Sequence, residues 1–304
     1  MKENKIVMLY RCETPLHVGS GDEMGIVDLP IQREKHTGFP KMEASGIKGV
    51  FRDYFEKKIE ENKVNKNDIK SLFGSNEESD NEAEKAEAGG LIFTDARLLL
   101  FPVKAGKDVF RWITCPYVLQ RFARELGRIG KQDEESSVEA ILRHSNLYEK
   151  LEDGTVYIIQ ENVKDQKKIQ LDEFEFHGER LEDKEANNFL SIVKQIIQHE
   201  YLKNKLEKGV VLVSDEIFSY FTEMGTQVDT RIRIGENGVV VGGALFTEES
   251  LPEESILYSI VEEWKKGTLQ EFTKVLEAEN FFMQFGGDMT IGKGITQVCL
   301  YKKV

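Results

Sequence analysis

The sequence predicts an α+β fold. Short apolar runs and apolar alternation, the mark of strands, recur from the first residues to the last. Segments with helical spacing lie between them, without the strict strand–helix–strand alternation of a doubly wound sheet. Hydrophobic residues make up 40% of the 304, enough for a sizeable core in a single domain spanning 1–304 with insertions.

Residues 5–12, KIVMLYRC, read as a strand, and ETPLHVGSG (13–21) as a turn-rich loop. Residues 21–40 have no regular pattern. They do contain Ile26, Val27, Leu29, Ile31 and Phe39, so this long loop reads as functional rather than disordered. Ser45 is the expected N-cap of a helix with Ile47, Val50, Phe51, Tyr54 and Phe55 at helical spacing. Residues 75–88 hold six acids and one lysine and almost nothing apolar, which predicts a disordered surface loop.

Residues 91–102 read as one strand and 109–114 as another. Residues 116–129 read as a helix with Pro116 in its first turn. Strands are expected at 155–160 and 209–213, and one helix over 187–206. Ser214-Asp215 opens a further helix, DEIFSYFTEM. Residues 226–246 read as a hairpin turning at Gly235-Glu236-Asn237-Gly238. Residues 253–279 are expected to be helical, and the chain closes as strand, glycine loop, strand.

The charge excludes some functions and not others. There are 54 acids against 41 Lys and Arg, a net charge of −13, which at face value disfavours nucleic acid. The acids concentrate in 75–88, 132–190 and 248–280, whereas 97–131 holds eight bases and two acids. That exclusion assumes an even spread of charge, so the acid is expected away from any surface that nucleic acid would meet. Cys12, Cys115 and Cys299 form neither a disulfide framework nor a zinc spacing. No run approaches the ~20 apolar residues of a membrane span, and no signal peptide is visible. A reduced, cytoplasmic protein is expected.

Two glycine-bearing elements suggest phosphate chemistry. Phe285-Gly286-Gly287-Asp288-Met289-Thr290-Ile291-Gly292-Lys293-Gly294 lets the backbone approach a ligand, its N–H groups can cradle an anion, and Lys293 adds charge. It is neither a Walker A loop nor a dinucleotide fingerprint, and a plain glycine hairpin is the ordinary alternative. Ser45-Gly46-Ile47-Lys48-Gly49 starts a helix whose free N–H groups favour a phosphate, with Lys48 and Arg52 on one face. A capped helix with a solvated basic face is the alternative there.

Together these blocks resemble one family. ETPLHVGSG (13–21), GIVDLPIQREKHTGFP (25–40), SGIKGVFR (45–52), LFGS (72–75), GGLIFTDARLLLFPV (89–103), VVLVSDEIF (210–218), GALFTEESLP (243–252) and GGDMTIGKG are similar to the backbone-forming RAMP subunit of type III-B CRISPR–Cas effectors, the Cmr complex. The resemblance implies a ferredoxin-like (RRM-like) core with large insertions and a protruding β-hairpin thumb, for which 230–246 is the candidate. It implies copies of the chain stacked along a CRISPR RNA guide with other Cmr subunits. It also implies cleavage of complementary single-stranded target RNA at regular intervals, dependent on a divalent metal, Mg or Mn. Base pairing would read the sequence while the protein holds the backbone.

The family's key acid falls on Asp28, expected to ligate the metal or activate a 2′-OH; a turn cap is the ordinary role of such a residue. His17 matches the family's loop histidine and could shuttle a proton or simply tether its loop. Arg33 and His36 share the Asp28 loop and are expected to face RNA, as are Ser45, Lys48, Arg52, Gly286, Gly287, Gly292, Lys293 and Gly294. Gln227 and Asp229 lie where the family often has an acid, and neither is assigned a role. Two alternatives stay open: a non-catalytic guide-RNA-binding scaffold of the same complex, and a phosphate-binding enzyme built on the 286–294 loop.

Overall fold

The computed structural model describes residues 4–21, 25, 27–61, 64–75, 87–160, 168–181, 186–234, 238–276 and 280–301. The first part runs β1 (Lys5–Cys12), β2 (Lys41–Met42), α1 (Ala44–Glu60), α2 (Lys66–Phe73), β3 (Leu91–Phe93), β4 (Ala96–Ala105) and β5 (Val109–Thr114). A middle section follows with α3 (Pro116–Arg128), α4 (Gln132–Leu142), α5 (Leu147–Glu152), β6 (Thr155–Ile159), β7 (Lys168–Leu171), β8 (Phe174–Leu181), α6 (Ala186–Lys194) and α7 (Glu200–Leu206). The last part holds β9 (Val210–Leu212), α8 (Asp215–Met224), β10 (Gln227–Ile234), β11 (Val240–Ser250), β12 (Ile256–Glu263), α9 (Thr268–Val275), β13 (Asn280–Gln284) and β14 (Ile295–Leu300).

Among the described residues twelve strands form one sheet in the order β13-β14-β1-β12-β4-β5-β9-β6-β8-β7, with β2 added at β4 and β3 at β12. Pairing is antiparallel except for β5 with β9 and β6 with β8. The sheet and the nine helices mix as the sequence predicts for α+β. Helix α1 buries Ile47, Phe51 and Phe55. Phe55 stacks on Phe272 of α9 at 5.4 Å and Phe51 on Phe93 of β3 at 5.9 Å, fixing the helix to the sheet. The hairpin β10–β11 forms its own two-stranded sheet, with Ile232, Ile234 and Leu245 exposed along it. Its span, Gln227–Ser250, exceeds the 230–246 expected, and its turn 235–237 lies outside the described residues.

Several expectations need correction. Residues 256–263 form not a helix but β12, a central strand between β1 and β4. Within it the Ser259 hydroxyl lies 2.8 Å from Tyr10 Oη. The helix expected there is confined to α9. The strand expected over 91–102 is interrupted at Thr94-Asp95, because the Asp95 carboxylate accepts from Ala44 N at 2.9 Å and Lys41 Nζ at 2.9 Å. Asp95 is thus the acceptor at the α1 N-terminus. Ser45 is not the N-cap: Glu43 is, with no side-chain bond, and Ser45 is an exposed second helical residue. The helix expected over 187–206 is two, α6 and α7. Helix α2, with an Asn65–Asp68 capping box, and α4, α5, β7 and β8 were not read from the sequence.

The acidic stretch 75–88 lies largely outside the described residues, which resume at Glu87. Its two ends are clasped: Ser75 N donates to Glu87 O at 3.1 Å and Glu87 N to Ser75 Oγ at 2.8 Å.

Candidate catalytic carboxylate and nucleic-acid interface

The site is built along the outer edge of β11. Leu29 N donates to Thr247 O at 3.0 Å, Glu249 N to Leu29 O at 3.0 Å, and Leu16 and Leu251 exchange both backbone bonds at 2.9 Å. The 13–21 and 27–40 loops are therefore laid on a strand, and they also pair with each other through Gln32 N to Val18 O at 2.8 Å. This explains how residues 27–40 hold one conformation without regular structure: backbone groups along them have partners.

Asp28 is exposed and its Oδ2 accepts from Thr247 N at 2.8 Å and Thr247 Oγ1 at 2.9 Å, while Asp28 N donates to the same Thr247 Oγ1 at 3.0 Å. The Thr247 backbone donor, then its hydroxyl, lower the Asp28 pKa below the ordinary carboxylate value. The group is ionised at neutral pH, and Oδ1 has no hydrogen bond among the described residues.

His17 is anchored two residues along, its Nδ1 2.6 Å from Glu249 O. A carbonyl only accepts, so Nδ1 carries the proton and Nε2 keeps the lone pair in the neutral ring. The two anchor points on β11 are separated by about 7 Å of strand rise. Gly19 lies under the ring: a Cβ there would sit 2.9 Å from His17 Nε2. The glycine loop closes in from behind. Gly286 has φ +72° and any Cβ would collide with His17 O, which accepts from Gly287 N at 2.9 Å.

Charged groups beneath these loops are paired internally. Lys293 is only 7% exposed, and its ammonium contacts Glu248 at 2.6 Å, Asp229 at 2.9 Å and Ser250 Oγ at 2.9 Å. Arg231 reaches Asp288 at 3.1 Å and Glu248 at 3.2 Å. Hydrogen bonding with Glu248, then the Arg231 charge, hold the Asp288 pKa low. Gln227, then Lys293, do the same for Asp229. Arg33 is tied to the buried Glu249, to Gly38 O at 2.8 Å and to Thr222 O at 3.2 Å.

The sequence-predicted site residues therefore separate into two groups. Asp28, His17, His36, Ser45, Lys48 and Arg52 have at least part of the side chain at the surface. Lys48 is half-buried; burial, then Arg52 beside it, lower its pKa. The Ser45 and Gly46 N–H groups of α1 are open, and Gln32 of the Asp28 loop binds this end of the helix through Lys41 N at 3.0 Å and Glu43 N at 2.8 Å. Arg52 is partly engaged by Glu56 at 2.9 Å and Gly74 O at 3.2 Å.

Lys293 and Arg33 belong to the other group: each is bonded to buried carboxylates, so neither is the free cation expected. The glycine loop is likewise not an open anion nest. The N–H groups of Gly287, Gly292, Lys293 and Gly294 donate to His17, Met289, Asp288 and Pro15 carbonyls, and Gly286 serves by close approach to His17. The acid of 248–280 is also misplaced by the sequence reading, because Glu248 and Glu249 lie buried behind the site. Thr247, Glu248, Glu249 and Asp95 position the site and were not singled out, although the first three stand in the GALFTEESLP block.

The chain belongs to the RAMP superfamily: the family's model matches residues 9–297. The chain is 32% identical over 305 residues to the CRISPR system Cmr endoribonuclease Cmr4 of Pyrococcus furiosus, covering 97% of this chain and 95% of that protein. The crystal structure of oligomeric Cmr4 from Pyrococcus furiosus superposes with a TM-score of 0.70 at 26% identity, over 98% of each chain. The cryo-EM structure of the type III-B Cmr-beta bound to cognate target RNA contains a chain with the same fold, TM-score 0.76 at 22% identity, over 97% of this chain and 96% of that one.

Proposed function

We propose that the chain is a backbone subunit of a type III-B CRISPR effector and an endoribonuclease in the assembled particle. Copies assemble along a guide RNA with other Cmr subunits and cleave complementary single-stranded RNA at regular intervals. In this reading the sheet around β1 and β12 is the ferredoxin-like core, β10–β11 is the thumb, and the particle works in the cytoplasm. The observation that carries it is the Asp28 carboxylate, fixed by Thr247 at the hairpin base with one oxygen unengaged, in a chain similar to Cmr4 along nearly its whole length.

The low pKa of Asp28 argues about its role. A carboxylate stabilised as the anion is a weak base but a good partner for a cation. Mg²⁺ keeps most of its waters and often takes only one or two carboxylates plus phosphate oxygens, so Asp28 alone fits as the protein ligand. Such an ion, Mg or Mn, supplies neutralisation of the charge developing on the phosphate. Asp28 orients, and His17 moves the proton. Nε2 accepts the proton of the 2′-OH, O2′ attacks the adjacent phosphorus, the P–O5′ bond breaks, and the imidazolium returns the proton to O5′. The Glu249 carbonyl keeps Nδ1 protonated throughout.

The test is Asp28→Asn, which retains an acceptor for Thr247, in the particle assembled with guide and target. Cleavage is expected to fall on the order of 10²–10⁴-fold with assembly intact. Unchanged cleavage would leave the non-catalytic scaffold. Chelation should stop cleavage and Mg²⁺ or Mn²⁺ should restore it; chelator-resistant cutting would remove the metal from the scheme.

A further inference from the structure

A second cationic site lies away from the hairpin base, on α3. Arg121, Arg124 and Arg128 recur at three- and four-residue spacing and so share one face of the helix. With Arg97 of β4 and the Tyr117–His36 pair they line a cleft of about 350 Å³, to which Glu125 contributes the acid. Arg97 is neutralised by Glu125, and Arg128 reaches Glu262 only at 3.3 Å. Arg124 is exposed and has no ion pair among the described residues. Arg121 is 4% exposed and uses Nη1 alone for both oxygens of Glu34, at 2.6 and 2.8 Å. Its Nε and Nη2 are sealed from solvent, where the buried Tyr258 hydroxyl meets the guanidinium.

The open donors of the cleft are those of Arg124 and Arg128, two exposed guanidinium groups four residues apart on one helix face, and they suit an acceptor with several oxygens. The rim is aromatic. His36 Nε2 lies 3.1 Å from Tyr117 Oη with the rings edge-to-face at 6.4 Å, and the Arg121 guanidinium lies 5.5 Å from the Tyr117 ring. Arginines that donate to phosphate oxygens beside an aromatic edge suit a nucleotide better than an acidic peptide. His36 also belongs to the Asp28 loop, so a strand lying along that loop from Asp28 meets the cleft.

We propose that the α3 cleft holds a phosphodiester of the RNA strand on the flank of the Asp28 site. The inference rests on the RNA-guided reading above. It is tested in the full chain carrying Asp28→Asn, so that binding is read without cutting. Arg124→Gln with Arg128→Gln is compared with the Lys pair at both positions, using single-stranded RNA across a salt titration. Both side chains are exposed, and unchanged circular dichroism checks the fold.

The Gln pair should bind ~10-fold more weakly, and its slope of log affinity against log salt should fall by about 0.7 per phosphate lost. The Lys pair should keep the slope. An unchanged slope and affinity in the Gln pair would overturn the proposal. So would a Gln pair whose self-association weakens, by sedimentation, while its RNA slope stays put; carboxylates of a neighbouring copy would then be the occupant. Failure of Asp28→Asn to stop cleavage would break the catalytic reading and leave this slope measurement standing.

Discussion

The hairpin base and the α3 cleft both gather cations, and they use them in opposite ways. At the hairpin base, Lys293, Arg231 and Arg33 are bonded to Glu248, Asp229, Asp288 and Glu249, and what faces outward is a carboxylate and an imidazole. On α3, Arg124 is exposed and unpaired among the described residues, and the exposed Arg128 reaches a carboxylate only at 3.3 Å. Lys293 and Arg33, which stand in sequence motifs of the site, thus hold architecture, whereas Arg124, which stands in none, is left to meet a ligand. Position in a motif identifies where a site is, not which charge in it is free.

The contrast predicts a gradient of effects on stability. Lys293→Met should have the largest, about 3–5 kcal/mol, because it strands buried Glu248 without its cation. Thermal or urea unfolding measures it, and a change below 1 kcal/mol would mean the pairing is solvated after all. Gly286→Ala should cost about 1–3 kcal/mol through its left-handed φ and should also displace His17, so cleavage falls along with the melting temperature. Thr247→Val should cost about 1 kcal/mol or less in stability, since Asp28 is exposed, yet it should lower cleavage more than stability. If the loss of cleavage merely tracks unfolding, Thr247 is not a positioning residue.

Acid should act late. The folded Asp28 pKa lies below its unfolded value, so the tether's contribution is present above the unfolded pKa and lost only as pH falls through the folded one. Between about pH 5 and 8 this group should impose no change on cleavage. An acid limb in that window that disappears in Asp28→Asn would contradict it. Smallest of all, Arg124→Gln should alter stability by no more than about 0.5 kcal/mol, the signature of a side chain kept for something outside the fold.

Much of this was legible in order and little of it in contact. The loop blocks, the hairpin and the closing strand–loop–strand follow from local pattern. Strand β12 does not: Ile256, Leu257, Tyr258, Ile260 and Val261 are buried on both faces of the sheet, and such an unbroken apolar run does not separate strand from helix. The α1 cap was misassigned because its acceptor, Asp95, comes from 51 residues away. Asp28 was found through the family's loop motif, while its holder Thr247 is 219 residues on and has no local signature. Lys293 looked like a phosphate ligand because its partners Asp229 and Glu248 belong to a different element of the chain.

The clasp between Ser75 and Glu87 has a practical consequence. The two ends are bonded to each other, so whatever chain joins them transmits no tension to α2 or β3. Lengthening a closed loop is cheap, about 0.6 kcal/mol for each doubling. A reporter or affinity handle spliced between these two residues should therefore cost the fold little and let each copy be counted in an assembled particle.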